Sequence, residues 1–263
     1  MKEAKGGPFV FWDDFAAGCE KAETLGFDAV EIFAPSANVI DPKRLNPLLD
    51  RHGLKVAAVG TGAGWIIHKW HLCHANPDIR RPAREFIRQM IDVAGRFGAS
   101  AIVGSMQGRV EGETTRAEAL DWLQDALNDL GEHAARQGRP LLFEPINRYE
   151  TNLFNRVNDA VAFLRILKTK GIKILADLYH MNIEEASIAG ALREAGEWIG
   201  HVHFADSNRH AIGFGHTEMA PVMTALRDIG YAGYLSAEIL PLPDSETAAR
   251  QTLKAYKELT GAL

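Results

Sequence analysis

Residues 174–205 read ILADLYHMNIEEASIAGALREAGEWIGHVHFA and contain the pattern that decides the fold. Two short runs, Ile174–Asp177 and His201–Ala205, are apolar almost throughout, and an amphipathic segment from about Asn182 lies between them. Strands that are apolar along their whole length, rather than at every second residue, are typical of parallel strands covered on both faces. The stretch therefore predicts a strand, a helix and a second, parallel strand.

The same unit recurs along the chain. The other predicted strands are Ala29–Phe33, Lys55–Gly60, Ala101–Ser105, Leu141–Glu144 and Tyr234–Ile239. The predicted helices cover Asp13–Leu25, Pro42 to just before Gly53, about Ile79–Phe97, Thr114–Gln137, a segment from Val157, about Met219–Ile229, and a segment from Ser245. Many begin at a capping residue or proline and end near a glycine, as helices usually do.

Seven strand–helix units are clear, and the helix at Asp13–Leu25 implies an eighth strand before it. Only Pro8–Trp12 is available for that strand, and Gly6-Gly7-Pro8 in front of it is a poor strand former. Eight such units in 263 residues favour a closed barrel over an open sheet. The sequence therefore predicts a single (β/α)8 (TIM) barrel domain over residues 1–263, with a short or degenerate first strand.

Composition excludes several classes of function. Apolar residues make up 46% of the chain and charged residues 24%, as in an ordinary soluble domain. The net charge of −5 argues against partners such as nucleic acid or an acidic membrane surface, and no apolar run reaches the roughly 18 residues of a membrane span. Residues 1–8 lack a signal-peptide core, and Cys19 and Cys73 form no redox-type or metal-type pair, so we expect a cytoplasmic protein.

Polar residues stand at or near the ends of four successive predicted strands: Glu144, Asp177, His203 and Glu238. In a TIM barrel these ends meet on the face that carries function. Any one of the four alone is readily explained by a salt bridge or a buried hydrogen bond. Three carboxylates and an imidazole together would repel each other unless a cation lies between them. The oxygen-rich set predicts a divalent metal ion; we expect Mn²⁺, with Mg²⁺, Co²⁺ or Zn²⁺ as alternatives.

Four motifs resemble the ketose 3-epimerases, the group that contains D-tagatose and D-psicose 3-epimerases, within the wider xylose isomerase-like barrel superfamily. Residues 144–151 (EPINRYET) resemble its Glu-Pro-x-Asn-Arg-x-Glu segment, and residues 177–181 (DLYHM) its Asp-x-x-His-Met segment. Residues 203–209 (HFADSNR) resemble its His-x-x-Asp-x-x-Arg stretch, and residues 236–238 (SAE) end on its last-strand glutamate. The resemblance extends from about Asp13 to the last residue.

The resemblance implies a mechanism. A divalent ion would grip the oxygens at C2 and C3 of a ketose or ketose phosphate and acidify the C3 proton. Glu144 and Glu238 would serve both as metal ligands and as the two acid–base groups, through an enediolate. Glu150, His180 and Arg209, whose joint presence indicates the narrower group, would hydrogen-bond the sugar. Members of the group commonly form homodimers or homotetramers, and we expect the same here.

Residues 60–76 form a long connection rich in glycine, tryptophan and histidine. Its glycines do not make a nucleotide fingerprint, because no helix is expected to open directly from the strand. We expect Trp65 to wall the substrate site as part of a lid, with a packed surface loop as the equal alternative. His68, His71 and His74 indicate a second metal only weakly, since no carboxylate follows at ligand spacing.

Further candidates carry less weight. Gln107–Arg109 follow a strand and are placed to touch a phosphate or a distal hydroxyl. Trp12 and Phe33 are candidates for pocket walls and equally for ordinary packing at the barrel end. Glu31 lies within a strand and needs a partner if it points inward, for which we expect a salt bridge.

Three rival functions use the same barrel. An isomerase of a short hydroxy-carbonyl compound such as hydroxypyruvate would share the metal ligands but move a proton between C1 and C2. A DNA-repair endonuclease of the superfamily would need a three-zinc cluster with further histidines and a positive face, and the acidic chain does not offer these. A non-catalytic binding barrel is disfavoured by the intact set of four ligands.

Overall fold

The computed structural model describes residues 5–12 and 14–261, in which seven parallel strands alternate with helices. The strands are β1 (Ala29–Phe33), β2 (Lys55–Gly60), β3 (Ser100–Val103), β4 (Leu141–Phe143), β5 (Ile172–Asp177), β6 (Ile199–His203) and β7 (Leu235–Ser236). They pair in sequential order, each parallel to its neighbour, in a nearly closed barrel. The predicted TIM-barrel fold is confirmed.

The helices lie between consecutive strands or at the ends of the chain. They are α1 (Phe15–Leu25), α2 (Pro42–Arg51), α3 (Ala63–His68), α4 (Pro77–Arg96), α5 (Arg116–Arg136), α6 (Val157–Arg165), α7 (Leu178–Glu184), α8 (Ile188–Ala195), α9 (Met219–Asp228) and α10 (Ser245–Thr260). Side-chain caps fix many of the starts; at α5, Thr115 and Glu118 form a reciprocal capping box. No helix in the described part of the chain combines the length and apolar content required to cross a membrane.

The strands are buried on both faces. A small cluster fills the space inside the barrel and consists of Ala58, Ile102, Leu142 and Leu175. Residues of alternate orientation, such as Leu141 and Phe143, belong to the larger layer between the strands and the helices. This double coverage is why the strands are apolar at nearly every position.

The barrel is incomplete between β7 and β1. Within the described residues no strand joins them, and the chain at Pro8–Trp12, where the first strand was expected, forms bends and irregular structure. The Phe9 ring instead lies 4.6 Å from the Phe33 ring, and Phe11 packs against Gly18, where an added Cβ would be 3.3 Å from the Phe11 Cβ. Phe9 and Phe11 thus pack beside the gap. The irregular backbone at Pro8–Trp12 confirms the expected degenerate first strand.

Local chemistry explains where other boundaries differ from expectation. The helix after β5 begins at Leu178 rather than near Asn182, because Asp177 caps it, and it breaks before a second helix that Ser187 caps. The short helix α3 after β2 was not predicted, so the expectation that no helix follows that strand directly was wrong. Asp13, the expected start of the first helix, lies outside the described residues; α1 begins at Phe15.

Candidate metal and substrate site

The structure brings the four polar strand-end residues together. Glu144, Asp177, His203 and Glu238 each offer one ligand atom, and these atoms all lie within 4.8 Å of one another. His203 Nδ1 lies 3.3 Å from Asp177 Oδ2 and 3.6 Å from Glu144 Oε1. It is 3.7 Å from Glu238 Oε2. One imidazole nitrogen therefore faces three carboxylates at the carboxyl ends of β4–β7.

Glu144 is buried directly after β4. Its backbone N–H donates to the Val103 carbonyl at 3.0 Å, and the Gln107 side-chain amide donates to the Glu144 carbonyl at 2.9 Å. Gly104 leaves room for the carboxylate, since a Cβ there would lie 2.2 Å from Glu144 Oε2. Burial raises the pKa of Glu144, although His203 partly opposes this.

The two carboxylate oxygens of Asp177 contact different partners, so the residue both caps a helix and belongs to the cluster. Oδ1 accepts the backbone N–H of Tyr179 at 2.8 Å and so begins α7. Oδ2 faces His203. Burial disfavours the charged carboxylate, but His180 and His203 outweigh burial and hold the pKa of Asp177 well below its usual range.

Arg209 links the cluster to the rest of the pocket. Its guanidinium pairs with the Glu238 carboxylate and lies 3.9 Å from Glu150 Oε1. Arg209 has a left-handed backbone (φ 60°), which is held because its N–H donates to the Asp206 carbonyl and its carbonyl accepts the Leu240 N–H, both at 2.8 Å. The buried Asp206 carboxylate accepts the backbone N–H groups of Ser207, Gly213, Gly215 and Thr217.

His180 presents a donor to the cluster. Its Nδ1 accepts the backbone N–H of Asn147 at 3.2 Å, so the neutral ring carries its proton on Nε2. Nε2 lies 3.9 Å from Glu144 Oε1. The Asn147 side-chain amide donates to Glu150 Oε1 at 3.0 Å. The three predicted sugar-binding side chains, His180, Glu150 and Arg209, therefore border the same cluster.

The donor set fits a divalent cation. Glu144 Oε1 is buried and has no hydrogen-bond partner among the described residues, although it faces the other ligand atoms. Buried carboxylates without such partners are stabilised by a positive ion. Three carboxylate oxygens and one imidazole nitrogen suit Mn²⁺, Mg²⁺ or Co²⁺, and Zn²⁺ also accepts these atoms.

A cavity of about 1400 Å³ opens from this cluster. Trp65 on α3 and Phe33 at the end of β1 line it, as do Trp12, Tyr149 and Arg109. The indole of Trp65 lies edge-on to the buried His71 ring at 5.7 Å, which holds it in place. The expected pocket-wall residues thus stand around the candidate site.

The remaining candidates are the residues after β3, Gln107 and Arg109, and the three histidines of the 60–76 connection. Gln107 is buried and supports the Glu144 backbone, whereas Arg109 lines the cavity with its Nε 3.6 Å from Glu111. The loop histidines form no cluster with a carboxylate in the described residues: His68 stacks on Trp70. The His71 and His74 rings lie 5.0 Å apart.

Sequence reasoning missed some residues that shape the site. Gly104 and Asn147 received no role, although Gly104 follows a strand directly and Asn147 stands inside the first quoted motif. Their position next to recognised residues was the available signal. Glu31 has its expected salt bridge, but its partners, His201 and His203, were not foreseen.

A parallel barrel with a carboxylate–imidazole cluster at the carboxyl ends of its strands defines the class of this protein. The chain belongs to the xylose isomerase-like TIM-barrel family, whose sequence profile matches residues 19–259.

Relatives narrow the comparison to sugar epimerases. D-psicose 3-epimerase of Ruminiclostridium cellulolyticum is 28% identical over 244 residues, which cover 88% of this chain and 81% of that protein. 3-Dehydro-D-guloside 4-epimerase of Escherichia coli is 37% identical over 116 residues, 44% of each chain. The structure of D-allulose 3-epimerase from Methylomonas sp. in complex with D-allulose is 28% identical, with a TM-score of 0.81 over 96% of this chain and 95% of that one. The predicted resemblance is confirmed.

Proposed function

We propose that this chain is a metal-dependent ketose 3-epimerase acting on a free or phosphorylated ketose. The observation that carries the proposal is the cluster in which Glu144 after β4 and Glu238 after β7 flank Asp177 and His203. The similarity to D-psicose and D-allulose 3-epimerases supports the choice of carbon.

The two glutamates would move the proton. They come from strands three positions apart in the sheet, so a sugar over the cluster would meet them from different sides. One carboxylate removes the C3 proton and leaves an enediolate on the sugar; the other donates a proton to the opposite face and inverts C3. Each glutamate serves as base in one direction and acid in the other, so the reaction runs both ways.

The neighbouring side chains would hold the sugar. His180 offers its Nε2 proton to the developing oxyanion, and Arg209 orients Glu238 while its other N–H groups remain available to sugar oxygens. Glu150 accepts a hydrogen bond from a sugar hydroxyl. Trp65 supplies an apolar wall that excludes water from the reacting carbon.

A divalent ion in this site would polarise the ketose carbonyl and so acidify the adjacent C–H bond. Asp177 and His203 would mainly hold the ion, whereas Glu144 and Glu238 would hold it and transfer protons. We expect Mn²⁺ because oxygen ligands dominate the set, with Mg²⁺, Co²⁺ and Zn²⁺ as alternatives. Loading metal-free protein with each ion and comparing turnover decides among them.

The test is to incubate Mn²⁺-loaded protein with a panel of ketoses and ketose phosphates in D₂O. We expect NMR to show deuterium at C3 and a product whose configuration at C3 is inverted. Deuterium at C1 instead would indicate the alternative, an aldose–ketose isomerase of the hydroxypyruvate isomerase kind. No exchange with any ketose, in protein shown to hold one ion, would refute the epimerase proposal.

A 4-epimerase of a 3-keto sugar is a second candidate. The 37% identity to 3-dehydro-D-guloside 4-epimerase, over 44% of each chain, supports it. The chemistry is the same, because a ketone next to a C–H bearing a hydroxyl enolises in the same way. Deuterium incorporated at C4 of a 3-keto-glucoside, with slower exchange in free ketoses, would establish this candidate over the first.

A further inference from the structure

Glu31 on β1 contacts two histidines of β6. Its Oε1 lies 2.6 Å from His201 Nε2, and its Oε2 lies 3.4 Å from His203 Nε2. Both imidazoles are buried, whereas the Glu31 side chain is 20% exposed and lines the cavity. Because β1 and β6 are not neighbours in the sheet, these contacts cross the interior of the barrel.

An irregularity in the β1–β2 pairing occurs at this residue. Val30 pairs with Val56, but Glu31 pairs with Ala58, which leaves Ala57 of β2 as an extra residue. Bulges of this kind redirect side chains and are common beside active sites. The register shift occurs at Glu31, whose carboxylate points into the barrel, and the other residues of β1 are apolar.

The two nitrogens of His203 have different surroundings. Nδ1 faces the carboxylates of the metal cluster. Nε2 is buried and makes no aligned hydrogen bond within the described residues; Glu31 Oε2, at 3.4 Å, is its charged neighbour. A histidine binds a metal through an unprotonated nitrogen, so the proton of a neutral ring must sit on the other one.

We propose that Glu31 is a positioning residue that selects the His203 tautomer with its proton on Nε2, and so leaves Nδ1 free to bind the metal. His201 holds the carboxylate in place, because its Nε2 lies within hydrogen-bond distance of the other Glu31 oxygen. Carboxylates that accept the second N–H of a metal-binding histidine raise its basicity and fix its ring. Glu31 itself need not touch the substrate.

This inference rests on the proposed function, because it requires that the cluster bind a cation. The first measurement is a Mn²⁺ titration followed by the EPR signal of free Mn²⁺, with wild type, Glu31→Gln and Glu31→Ala. We expect the dissociation constant to rise by roughly 10- to 100-fold in both variants, and more in Glu31→Ala, since the glutamine oxygen still accepts one hydrogen bond.

Glu23→Gln is the matched control. Glu23 on α1 pairs at 2.6 Å with His52, the residue that directly follows α2, and both lie away from the cluster. The pair therefore repeats the carboxylate–histidine contact without the metal. We expect its Mn²⁺ affinity to equal that of wild type. Circular dichroism of each metal-free variant separates lost folding from lost affinity; if Glu31→Ala does not fold, Glu31→Gln carries the comparison.

A second readout addresses the tautomer itself. In ¹⁵N imidazole spectra of the metal-free proteins, recorded at a pH high enough for the His203 ring to be neutral, we expect wild type to carry the His203 proton at Nε2 alone, and the Glu31 variants to show a mixture of tautomers. The His203 signal is assigned by its loss in His203→Asn.

Several outcomes would overturn the inference. Unchanged Mn²⁺ affinity in Glu31→Gln, with wild type binding one ion, would remove Glu31 from the site and leave the proposed function intact. Two ions per wild-type chain, reduced to one in Glu31→Gln, would make Glu31 a ligand rather than a positioning residue. If wild type binds no Mn²⁺ at all, the metal site itself is wrong.

Discussion

The two halves of the barrel contribute different things to the same pocket. The strands β4–β7 end in, or are followed closely by, the four polar residues of the cluster. The strands β1–β3 end in Phe33, Gly60 and Val103, which are apolar or lack a side chain. The half formed by β4–β7 therefore supplies the four ligand-type residues to which we assign the chemistry, and the half formed by β1–β3 mainly supplies shape and room.

Glycines create that room. A Cβ on Gly60 would lie 2.9 Å from the Phe33 ring, and a Cβ on Gly104 would enter the Glu144 carboxylate. The incomplete closure between β7 and β1 lies on the same side of the molecule as Phe33 and widens the cavity. The comparison predicts that substitutions of the cluster residues at the ends of β4–β7 should abolish turnover. Substitutions around β1–β3 that do not contact the cluster, unlike those at Glu31 and Gly104, should mainly change which substrate fits.

The largest effect is expected for Glu144→Gln and Glu238→Gln. Each removes one of the two groups that exchange a proton with C3, so kcat should fall by roughly 10²- to 10⁴-fold. Steady-state epimerisation and C3 deuterium exchange measure this, with the surface variant Glu23→Gln as control. If both variants kept full turnover, the two-carboxylate mechanism would be wrong.

Metal removal should rank next. Chelation should lower activity in wild type by up to roughly 10²-fold, and Mn²⁺ should restore it. Because an ion in this site would bind the folded protein and not the unfolded chain, Mn²⁺ at 100 times its Kd should also stabilise the fold by about 2.7 kcal/mol. Asp177→Asn should lose most of this Mn²⁺-dependent rise in Tm, because it removes a ligand charge. An equal rise in both proteins would place the ion elsewhere.

Gly104→Ala tests the border between the two halves. The added methyl would sit 2.2 Å from Glu144 Oε2, so the carboxylate must move. A displacement of about 1 Å in a reacting group lowers rates by roughly 100-fold, and we expect a loss in kcat of that size. Gly190→Ala on α8 is the control, since its methyl meets only Ser187. Equal kcat in the two variants would show that Glu144 does not need its present position.

The polar half of the barrel was predictable from sequence because its signals are local. Each ligand interrupts or follows an apolar run, and the strand rule alone brings the ends of β4–β7 together. The motif around Glu144 and Glu150 then indicates the family. The structure places these side chains around one cluster.

The apolar half was less predictable because its determinants are not local. The bends at Pro8–Trp12 depend on packing against β1 and α1, which no periodicity reports. The helix α3 follows a glycine-rich segment and has only 6 residues, which is too short to show an amphipathic pattern. Glu31 reaches β6 across the barrel. The sequence pattern of neither strand indicates this contact, because the two residues are 170 positions apart.

Trp65→Ala gives the smallest expected effect and the sharpest test of the division between the halves. Trp65 lines the cavity from α3 but belongs to no part of the cluster, so its loss should remove apolar contact without moving the acid–base groups. We expect KM to rise by about tenfold, equivalent to about 1.4 kcal/mol, with kcat changed only a few-fold. Trp122→Ala is the matched control, because Trp122 stacks under Arg80 away from the cavity. A fall in kcat that matches Glu144→Gln would mean that Trp65 closes over the reacting carbon, and that the half built from β1–β3 takes part in the chemistry as well as the fit.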